Sequence, residues 1–319
     1  MTPFTSRRHH SVAALGEMRL IAAIRRWLGD STPVAPFGIG DDCAVLAPAK
    51  RHQLVTTDPV IYGQHFDDEV PARSVGAKLL KRNLSDIAAM GGIPRTAVVS
   101  MALAPDTSVA WVRMFYLGLA AAARRTNVKI VGGDIAQAPD GFLGAFLTLH
   151  GESSGPRVVT RRGAQRGDWI YVTGRLGGSL LGKHYRISPR LAEGAWLARR
   201  REVRAMLDVS DGLVKDLIPL TPAGTVPAVF AKTVPISGAA KRRARITGRS
   251  PLSHALCDGE DFELLFAVSS SANLTTFERA WQRTFPRLRL SRLGYFARRQ
   301  DLPATALRLG DYHGYEHLR

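Results

Sequence analysis

The sequence is poor in cysteine and has no long apolar run. Two cysteines among 319 residues exclude a disulfide-stabilised secreted domain and favour a reducing compartment, so a cytoplasmic location is expected. No CxxC pair or Cys/His cluster surrounds Cys43 or Cys257, and both are expected to be small buried residues. Because no apolar stretch is long enough for a signal peptide or a membrane span, neither is predicted.

Negative charge is also scarce. The 27 acidic residues face 44 basic ones, of which 36 are arginine and 8 are lysine, and the formal net charge is +17. A nucleic-acid binder usually concentrates its basic residues on one element, with aromatic side chains between them. Here the basic residues are spread over the chain, and the denser patches at 199–204 and 241–249 contain no aromatic residue. Nucleic-acid binding is therefore disfavoured, and attraction of small anionic molecules is favoured.

Several motifs of hydrolytic and nucleotide-binding enzymes are missing. The sequence contains no HExxH or GxSxG, and its nine histidines form no metal-ligand pattern. GGSLLGKH, at 177–184, comes close to the phosphate-binding GxxxxGK[ST] loop, but His184 stands where that motif places the hydroxyl that reaches Mg²⁺. We expect this segment to be a glycine-rich helix entry that is needed for packing rather than for binding a nucleotide.

The chain has the composition of a globular protein of about two domains, with 45% hydrophobic and 22% charged residues. Apolar periodicity predicts helices and strands in a mixed α/β order. Helices are expected over 12–28, 74–90, 108–125, 189–206 and 270–283 and from Leu213 onward, and strands over 44–46, 53–57, 96–103, 128–131, 142–150, 169–173, 228–236 and 262–268. We expect a flexible tail over 1–11, an N-terminal domain over 12–154 and a C-terminal α/β domain over 155–319.

Acidic side chains recur at the edges of the expected strands, beside glycine or a hydroxyl residue. They are Asp41 and Asp42 in GIGDDCAVL, Asp58 in VTTD, Asp86 in NLSD, Asp134 in IVGGD, Asp208 and Asp211 in LDVSDGL, and Glu260, Asp261 and Glu263 in GEDFELL. Ordinary turn chemistry accounts for Asp140, Asp258 and Asp311. The recurrence in both halves favours a shared function, because crowded carboxylates cost free energy unless a cation neutralises them.

Carboxylate oxygens are hard ligands, which favour Mg²⁺. An Mg²⁺ ion that is bound by only a few carboxylates normally also bridges phosphate groups. Gly132 and Gly133 would let backbone N–H groups approach an anion closely. The sequence shows no pairing of a nucleophile with a base. We therefore expect metal-assisted phosphoryl transfer to an acceptor that is itself a phosphate and needs no general base.

The motifs and their order resemble the thiamine-monophosphate kinase family, within the aminoimidazole ribonucleotide synthetase-like superfamily. The resemblance rests on GIGDDCAVL, VTTDPVIYGQHF, KRNLSDIAAMGG, IVGGD, VVTRRGAQRGDWIYVTGRLGGS, MLDVSDGL and GEDFELLF. It implies a two-domain α/β (α+β) fold, a homodimer joined through the N-terminal sheets, and transfer of the γ-phosphoryl group of ATP to thiamine phosphate, giving thiamine diphosphate. It implies Mg²⁺ and leaves a requirement for K⁺ open.

The resemblance also implies three groups of site residues at the matching positions. The metal ligands or their immediate support would be Asp42, Thr56, Thr57, Asp58, Asp86, Asp134, Asp208 and Asp211. ATP would be held by Gly133, Asp134, Arg161 and Ser210. His65, Glu260 and Tyr315 would border the thiamine, whose cationic ring suits a carboxylate and an aromatic face. No general base is assigned.

The chain departs from the family pattern beside the expected substrates. Cys257-Asp258-Gly259 stands where the family has a second glycine before Glu260, and Ile135-Ala136-Gln137 follows IVGGD in place of the usual threonines. Two alternatives therefore stay open. One is a related Mg²⁺- and ATP-dependent enzyme of the superfamily that acts on another phosphorylated metabolite, and the other is a nucleotide-binding protein without catalysis.

Overall fold

In the computed structural model, residues 2–35, 37–39, 43–46 and 48–316 are described. The chain divides into two compact units, the first made of Met1–Ile87 and Ile93–Glu152 and the second of Ala88–Gly92 and Ser153–Arg319. Each unit contains one β-sheet together with helices. The predicted mixed α/β class is confirmed.

The first unit is built on a four-stranded sheet of order β1-β4-β2-β3. Its strands are β1 (Gln53–Ile61), β2 (Gly92–Leu103), β3 (Lys129–Gln137) and β4 (Leu143–Ser153). Its helices are α1 (Val12–Leu15), α2 (Glu17–Leu28), α3 (Ala72–Ala89) and α4 (Val109–Thr126). β1 pairs antiparallel with β4, and β2 pairs parallel with β3. The parallel pair is joined by α4, the crossover helix that such a pair requires.

Helices cover one face of this sheet. The side chain of Ile87 on α3 lies against Gly151 of β4, and α4 contacts β3. α3 and α4 approach each other closely at Gly76, where a β-carbon would lie 1.9 Å from the carbonyl oxygen of Phe115. The sequence therefore places a glycine where the two helix backbones meet.

The other face of the sheet, which we call the open face, is partly exposed and partly apolar in the described part of the chain, where Cys43, Ala44 and Leu46 line a cavity beside Val98. Strand residues alternate between the two faces, so buried and exposed positions alternate along β1, β2 and β4. On the open face Val55, Val98 and Phe146 are 58%, 38% and 39% exposed.

The second unit is built on a five-stranded sheet of order β6-β8-β5-β9-β7, in which neighbouring strands pair antiparallel. Its strands are β5 (Trp169–Thr173), β6 (Val203–Asp208), β7 (Val226–Val229), β8 (Leu264–Val268) and β9 (Leu290–Ala297). Its helices are α5 (Leu191–Ala198), α6 (Leu213–Leu220), α7 (Gly238–Thr247), α8 (Pro251–Cys257) and α9 (Leu274–Thr284). Successive residues of β5 enter different apolar clusters, Ile170 and Val172 on one face and Tyr171 on the other. This sheet is therefore buried on both faces.

Several predicted elements were wrong. The helix expected over 189–206 is α5 followed by the strand β6, because residues 203–208 pair with β8 and tertiary pairing overrides local helix propensity. The helix expected over 12–28 is interrupted at Gly16, whose φ is +79°. Residues 44–46 form no strand. The helices α7 and α8 and the strand β9 were not predicted.

Part of the segment expected as a flexible tail is hydrogen-bonded. The N–H of Thr5 donates to the carbonyl of Asp106 at 2.9 Å, and the N–H of Ser108 donates to the carbonyl of Pro3 at 2.7 Å. Isolated bridges also pair Phe4 with Thr107 and Ser11 with Ser108. Residues 3–11 thus lie along the turn that precedes α4.

The two cysteines differ. Cys257 is buried, as expected, whereas Cys43 is exposed and its predicted burial was wrong. Within the described ranges, no helix has the length and apolarity needed to cross a membrane.

Candidate functional site

In the first unit, two of the predicted metal-binding carboxylates lie where β1 contacts α3. The hydroxyl of Thr56 donates to Oδ2 of Asp86 at 2.5 Å, and Nη2 of Arg82 donates to Oδ1 of Asp58 at 3.4 Å. Alternate residues share one face of a strand, and residues four apart share one face of a helix. The spacing of VTTD and of RNLSD therefore places two polar contacts side by side. Sequence reasoning missed Arg82, although its position one turn before Asp86 was a usable signal.

Thr57 faces the other way. Its hydroxyl donates to the carbonyl of Leu147 at 3.1 Å and accepts from the hydroxyl of Thr148 at 3.3 Å, on the neighbouring strand β4. Because successive strand residues point to opposite faces, its side chain lies on the face opposite to that of Thr56 and Asp58. The structure thus separates the Thr57 side chain from the contact between β1 and α3.

His65 is held in one tautomer by the loop that follows β1. Its Nδ1 accepts the N–H of Ile61 at 3.1 Å, so the neutral ring carries its proton on Nε2. The fully buried Lys78 of α3 donates from Nζ to the carbonyl of His65 at 2.8 Å. A buried ammonium group needs such a partner, so Lys78 anchors the loop from the helix side. Sequence reasoning missed Lys78.

The predicted nucleotide-binding segment lies on β3. A β-carbon at Gly133 would lie 2.0 Å from the carbonyl oxygen of Val99, so only glycine fits there. Asp134 follows, opposite Ser100 in the parallel register. Gly133 and Asp134 line a cavity of about 460 Å³ whose other walls are largely apolar and include Val99 and Tyr116. The cavity combines exposed glycine backbone, one carboxylate and an apolar wall.

In the second unit, β6 ends at Asp208 and the loop 209–212 leads into α6. Oδ2 of Asp216, in the first turn of α6, accepts the N–H groups of Ser210 and Asp211 at 3.0 Å each. Burial, together with the charges of Asp208 and Asp211, raises the pKa of Asp216 to about 8. Asp216 therefore shapes the loop that carries two predicted site residues, Ser210 and Asp211. Sequence reasoning missed it, although an acid in the first turn of the expected helix was a signal.

The same loop is tied to the end of the described chain. Nζ of Lys215 lies 2.9 Å from Oδ2 of Asp211 and donates to the carbonyl of Tyr315 at 2.7 Å. The N–H of Tyr315 donates to the carbonyl of Asp211 at 2.9 Å. Two predicted site residues about a hundred positions apart are thus brought together.

Glu260 is also placed against this loop, in a strained conformation. Its N–H donates to the carbonyl of Ser210 at 2.7 Å, and the N–H of Phe262 donates to the carbonyl of Val209 at 2.8 Å. The φ angles of Glu260 and Phe262 are +51° and +52°, in the left-handed region that residues other than glycine rarely occupy. Such strain persists only where the surroundings enforce it and is concentrated at functional sites.

The two other acids of GEDFELL have structural partners. Nζ of Lys183 lies 3.3 Å from Oδ1 of Asp261 and 3.2 Å from Oε1 of Glu263. Arg190 donates from Nε and Nη2 to the two carboxylate oxygens of Glu263, at 2.7 Å each. Burial raises the pKa of Asp261 to about 6. Burial acts on Glu263 in the same direction, but the Arg190 hydrogen bonds and the charges of Lys183 and Arg190 outweigh it and lower the pKa of Glu263.

The segment 177–184 packs closely against two helices, as expected, but the predicted helix entry was wrong. Its lysine is engaged with Asp261 and Glu263, and its residues form 3₁₀ turns rather than the start of an α-helix. A β-carbon at Gly177 would lie 2.6 Å from Ala255, and one at Gly178 would lie 2.3 Å from Ala240. The glycines therefore serve close contact with α8 and α7.

The departure at Asp258 is explained by this packing. Oδ2 of Asp258 accepts the N–H of Gly178 at 2.8 Å, and Oδ1 lies 2.9 Å from Nδ1 of the buried His254. Arg243 of α7 lies 3.4 Å from the same carboxylate. Asp258 therefore links the glycine segment to both helices, and its interpretation as an ordinary turn residue was wrong.

Arg161 is exposed on the segment between β4 and β5, which runs beside β6, where the N–H of Met206 donates to the carbonyl of Thr160 at 2.9 Å. Asp42 and its neighbour Asp41 lie outside the described residues.

The donor chemistry of the predicted residues fits Mg²⁺. Hard carboxylate oxygens are present on Asp58, Asp86, Asp208 and Asp211. The hydroxyl of Thr56 lies at the contact between β1 and α3. In the part of the chain that the structure describes, no group of three or more His, Cys, Asp or Glu side chains is arranged to hold a metal ion. A substrate phosphate or further residues would have to complete the coordination.

Several known proteins that are similar to this chain belong to the family that the motifs resemble. The family described as AIR synthase related protein, N-terminal domain, matches residues 40–152. Thiamine-monophosphate kinase of Rhodopirellula baltica is 41% identical over 248 residues, which cover 74% of this chain and 77% of that protein.

Solved structures give the same result. Thiamine-monophosphate kinase from Stenotrophomonas maltophilia K279a superposes with a TM-score of 0.71 at 32% identity, covering 87% of this chain and 93% of that one. AaThiL, solved in complex with AMPPCP and TMP, has a TM-score of 0.71 at 28% identity and covers 95% of this chain and 97% of that one. The resemblance and the fold predicted from the motifs are thereby confirmed. The chain belongs to the thiamine-monophosphate kinase family.

Proposed function

We propose that the protein transfers the γ-phosphoryl group of ATP to thiamine phosphate, giving ADP and thiamine diphosphate. The main support for this reaction is the 41% sequence identity to a thiamine-monophosphate kinase over 74% of the chain. The AaThiL complex with AMPPCP and TMP adds a related structure that holds an ATP analogue together with TMP.

The reaction forms a bond between an oxygen of the acceptor phosphate and the γ-phosphorus, and it breaks the bond between that phosphorus and the β,γ-bridging oxygen. The acceptor oxygen is already anionic, so no side chain has to remove a proton, and we assign no general base. The protein's task is to orient the two phosphates and to neutralise their charge.

Mg²⁺, when bound, would supply that neutralisation. In the first unit we assign Thr56, Asp58, Asp86 and Asp134 as its ligands or their support, together with Asp42 from outside the described residues, whereas the Thr57 side chain lies on the opposite face of β1 and is not assigned. In the second unit we assign Asp208 and Asp211, whose loop Asp216 shapes through two backbone hydrogen bonds to its Oδ2. A role for K⁺ is left open.

ATP would contact Gly133, Asp134, Arg161 and Ser210. The exposed glycine backbone of β3 allows a close approach by phosphate oxygens, and Arg161 supplies positive charge. Thiamine would be bordered by His65, whose ring is oriented by the N–H of Ile61, and by Glu260 and Tyr315. A carboxylate and a half-exposed aromatic ring suit the cationic thiazolium.

We further propose that the two domains have different roles and that two chains form a dimer. Residues 12–154 would form the ATP- and Mg²⁺-binding and dimerisation domain, and residues 155–319 the C-terminal domain. The exposed apolar side chains on the open face of the first sheet support a homodimer that joins two copies there. We place the protein in the cytoplasm, where its two unpaired cysteines would stay reduced.

A coupled assay tests the reaction. The purified protein, incubated with ATP, Mg²⁺ and thiamine phosphate, is expected to form ADP and thiamine diphosphate in equal amounts, and EDTA is expected to stop both. Absence of thiamine diphosphate under these conditions would remove thiamine phosphate as the substrate.

Two results would instead support a related superfamily enzyme or a protein without catalysis. ADP formation only with another phosphorylated metabolite would favour a related superfamily enzyme, whereas complementation of a thiamine-diphosphate auxotroph would count against it. ATP binding in a calorimeter without ADP formation for any acceptor would indicate a non-catalytic protein.

A further inference from the structure

A fixed cation faces one of the proposed metal-binding carboxylates. Arg82 lies on α3 one turn before Asp86, and its side chain is only 10% exposed. Its Nη2 donates to Oδ1 of Asp58 at 3.4 Å, beside the hydrogen bond between Thr56 and Asp86. The contact between β1 and α3 thus holds two carboxylates and a guanidinium in one place.

A guanidinium at this position repels any metal ion that binds nearby. It stays charged at all ordinary pH values, and its planar donors suit a carboxylate. The Asp58 side chain is 27% exposed, so water screens the pair only in part. A divalent ion that binds Asp58 must either share that carboxylate with Arg82 or displace it, and it is repelled by the positive charge in both cases.

We propose that Arg82 is a positioning residue that competes with the divalent ion for Asp58. In the metal-free protein it holds the carboxylate in place and lowers the affinity of this edge for the metal alone. A nucleotide polyphosphate brings negative charge that offsets the guanidinium, so the metal binds well only together with the nucleotide. This inference rests on the metal role of Asp58 in the proposed function.

Metal binding without substrate tests the inference. The probe is Mn²⁺ alone, whose free concentration is measured by electron paramagnetic resonance, in the full chain and in Arg82→Met. We expect Arg82→Met to bind Mn²⁺ at least about fivefold more tightly, because a nearby repulsive charge is removed. AMPPCP is expected to tighten Mn²⁺ binding more in the wild type than in the variant.

A neighbouring lysine provides the matched control. Lys81 precedes Arg82 on α3 and is half-buried, and its pKa is lowered by burial and by the charge of Arg125, whereas a carboxylate in contact with it would raise that pKa. Lys81→Met removes one positive charge from the same helix and is expected to change the Mn²⁺ affinity by less than about twofold, since charges that lie farther apart are screened by salt.

The effect of Arg82→Met must depend on Asp58 if Arg82 competes with the metal ion for that carboxylate. In an Asp58→Asn background, Arg82→Met is expected to tighten Mn²⁺ binding much less, because only through-space repulsion, and no competition for the carboxylate, is then removed. An unchanged or weaker Mn²⁺ affinity in Arg82→Met, or the same tightening with and without Asp58, would overturn the inference. Arg82→Gln keeps a donor near Asp58 without the charge, and it decides the question if thermal unfolding shows that Arg82→Met does not fold.

Failure of the proposed function is measured separately. It is read from the kinase assay on the wild type with thiamine phosphate, whereas the Mn²⁺ titrations use no acceptor. A protein that makes no thiamine diphosphate but shows the expected Asp58-dependent change would lose the proposed substrate and keep the inference.

Discussion

The Asp211 side chain forms an ion pair with Lys215 that contributes little to folding. Its partner Lys215 is 28% exposed and Asp211 itself 24%, so their ion pair is partly screened by water. Pairs of this kind contribute roughly 0–1 kcal/mol to stability. Replacement of the Asp211 carboxylate should therefore separate activity from stability.

Asp211→Asn is expected to lower kcat by at least about a hundredfold, because a neutral amide neutralises no metal charge. Its melting temperature should stay near that of the wild type. The matched control is Asp311→Asn, at an exposed turn acid with no assigned role. Near-normal turnover in Asp211→Asn would remove this residue from the metal site.

Asp261 makes folding depend on pH. Burial raises its pKa to about 6 in the folded protein, whereas the unfolded chain has a value near 3.8. Between these values the folded state keeps a proton that the unfolded state has lost. The free energy of unfolding contributed by this group therefore falls as the pH rises from about 4 to about 6.

We expect Asp261→Asn to remove that part of the pH dependence, because asparagine cannot titrate and can still accept the N–H of Gly177. The difference between wild type and variant should change by up to about 3 kcal/mol across the window. Urea unfolding at pH 4.5, 5.5 and 6.5 measures it. Parallel pH profiles for the two proteins would contradict the assignment.

At the level of elements, β3 depends on glycine at one position and not at its neighbour. A β-carbon at Gly133 would lie 2.0 Å from a backbone oxygen of β2, whereas one at Gly132 would meet only the side chain of Val98, at 3.4 Å. A backbone oxygen in a paired strand cannot move aside as the end of a side chain can. The two positions therefore form a matched pair.

Gly133→Ala is expected to destabilise the protein by about 2–4 kcal/mol, and Gly132→Ala by less than about 1 kcal/mol. AMPPCP binding should be lost or strongly weakened in Gly133→Ala and retained in Gly132→Ala. Urea unfolding and calorimetry measure the two effects. Equal stability of the two variants would mean that β2 and β3 can separate without cost.

On the scale of the whole molecule, the open face of the first sheet requires explanation. Val55, Val98 and Phe146 are exposed there in the single chain, whereas the sheet of the second unit is buried on both faces. Exposed apolar side chains on one sheet face are typical of a surface that another protein covers. The proposed homodimer would cover this face with the same face of a second copy.

Sedimentation velocity should therefore give a mass about twice the 34.7 kDa of one chain. Phe146→Lys is expected to shift the protein toward monomers, because it buries an unpaired charge in the interface. Ile246→Lys is the control, since Ile246 is 74% exposed on α7. A wild type that sediments as a monomer at micromolar concentration would contradict the dimer.

The sequence by itself determined the elements whose signals are local. The strand over 169–173 has the predicted bounds, and α4 begins after Ser108, whose side chain accepts the N–H of Trp111 as a helix cap. The acidic motifs were also visible, because their glycines and hydroxyl residues lie within a few positions of each carboxylate. Periodicity and capping are short-range effects, so they can be read along the chain.

Only the tertiary structure decided which partners these residues have. Residues 203–208 became a strand because β8 pairs with them, although their local pattern indicated a helix. Arg82 meets Asp58 across 24 positions, and Lys183 meets Asp261 across 78. The physical reason is that charge pairing and strand pairing act through space, and chain folding sets the distances between residues that are far apart in sequence.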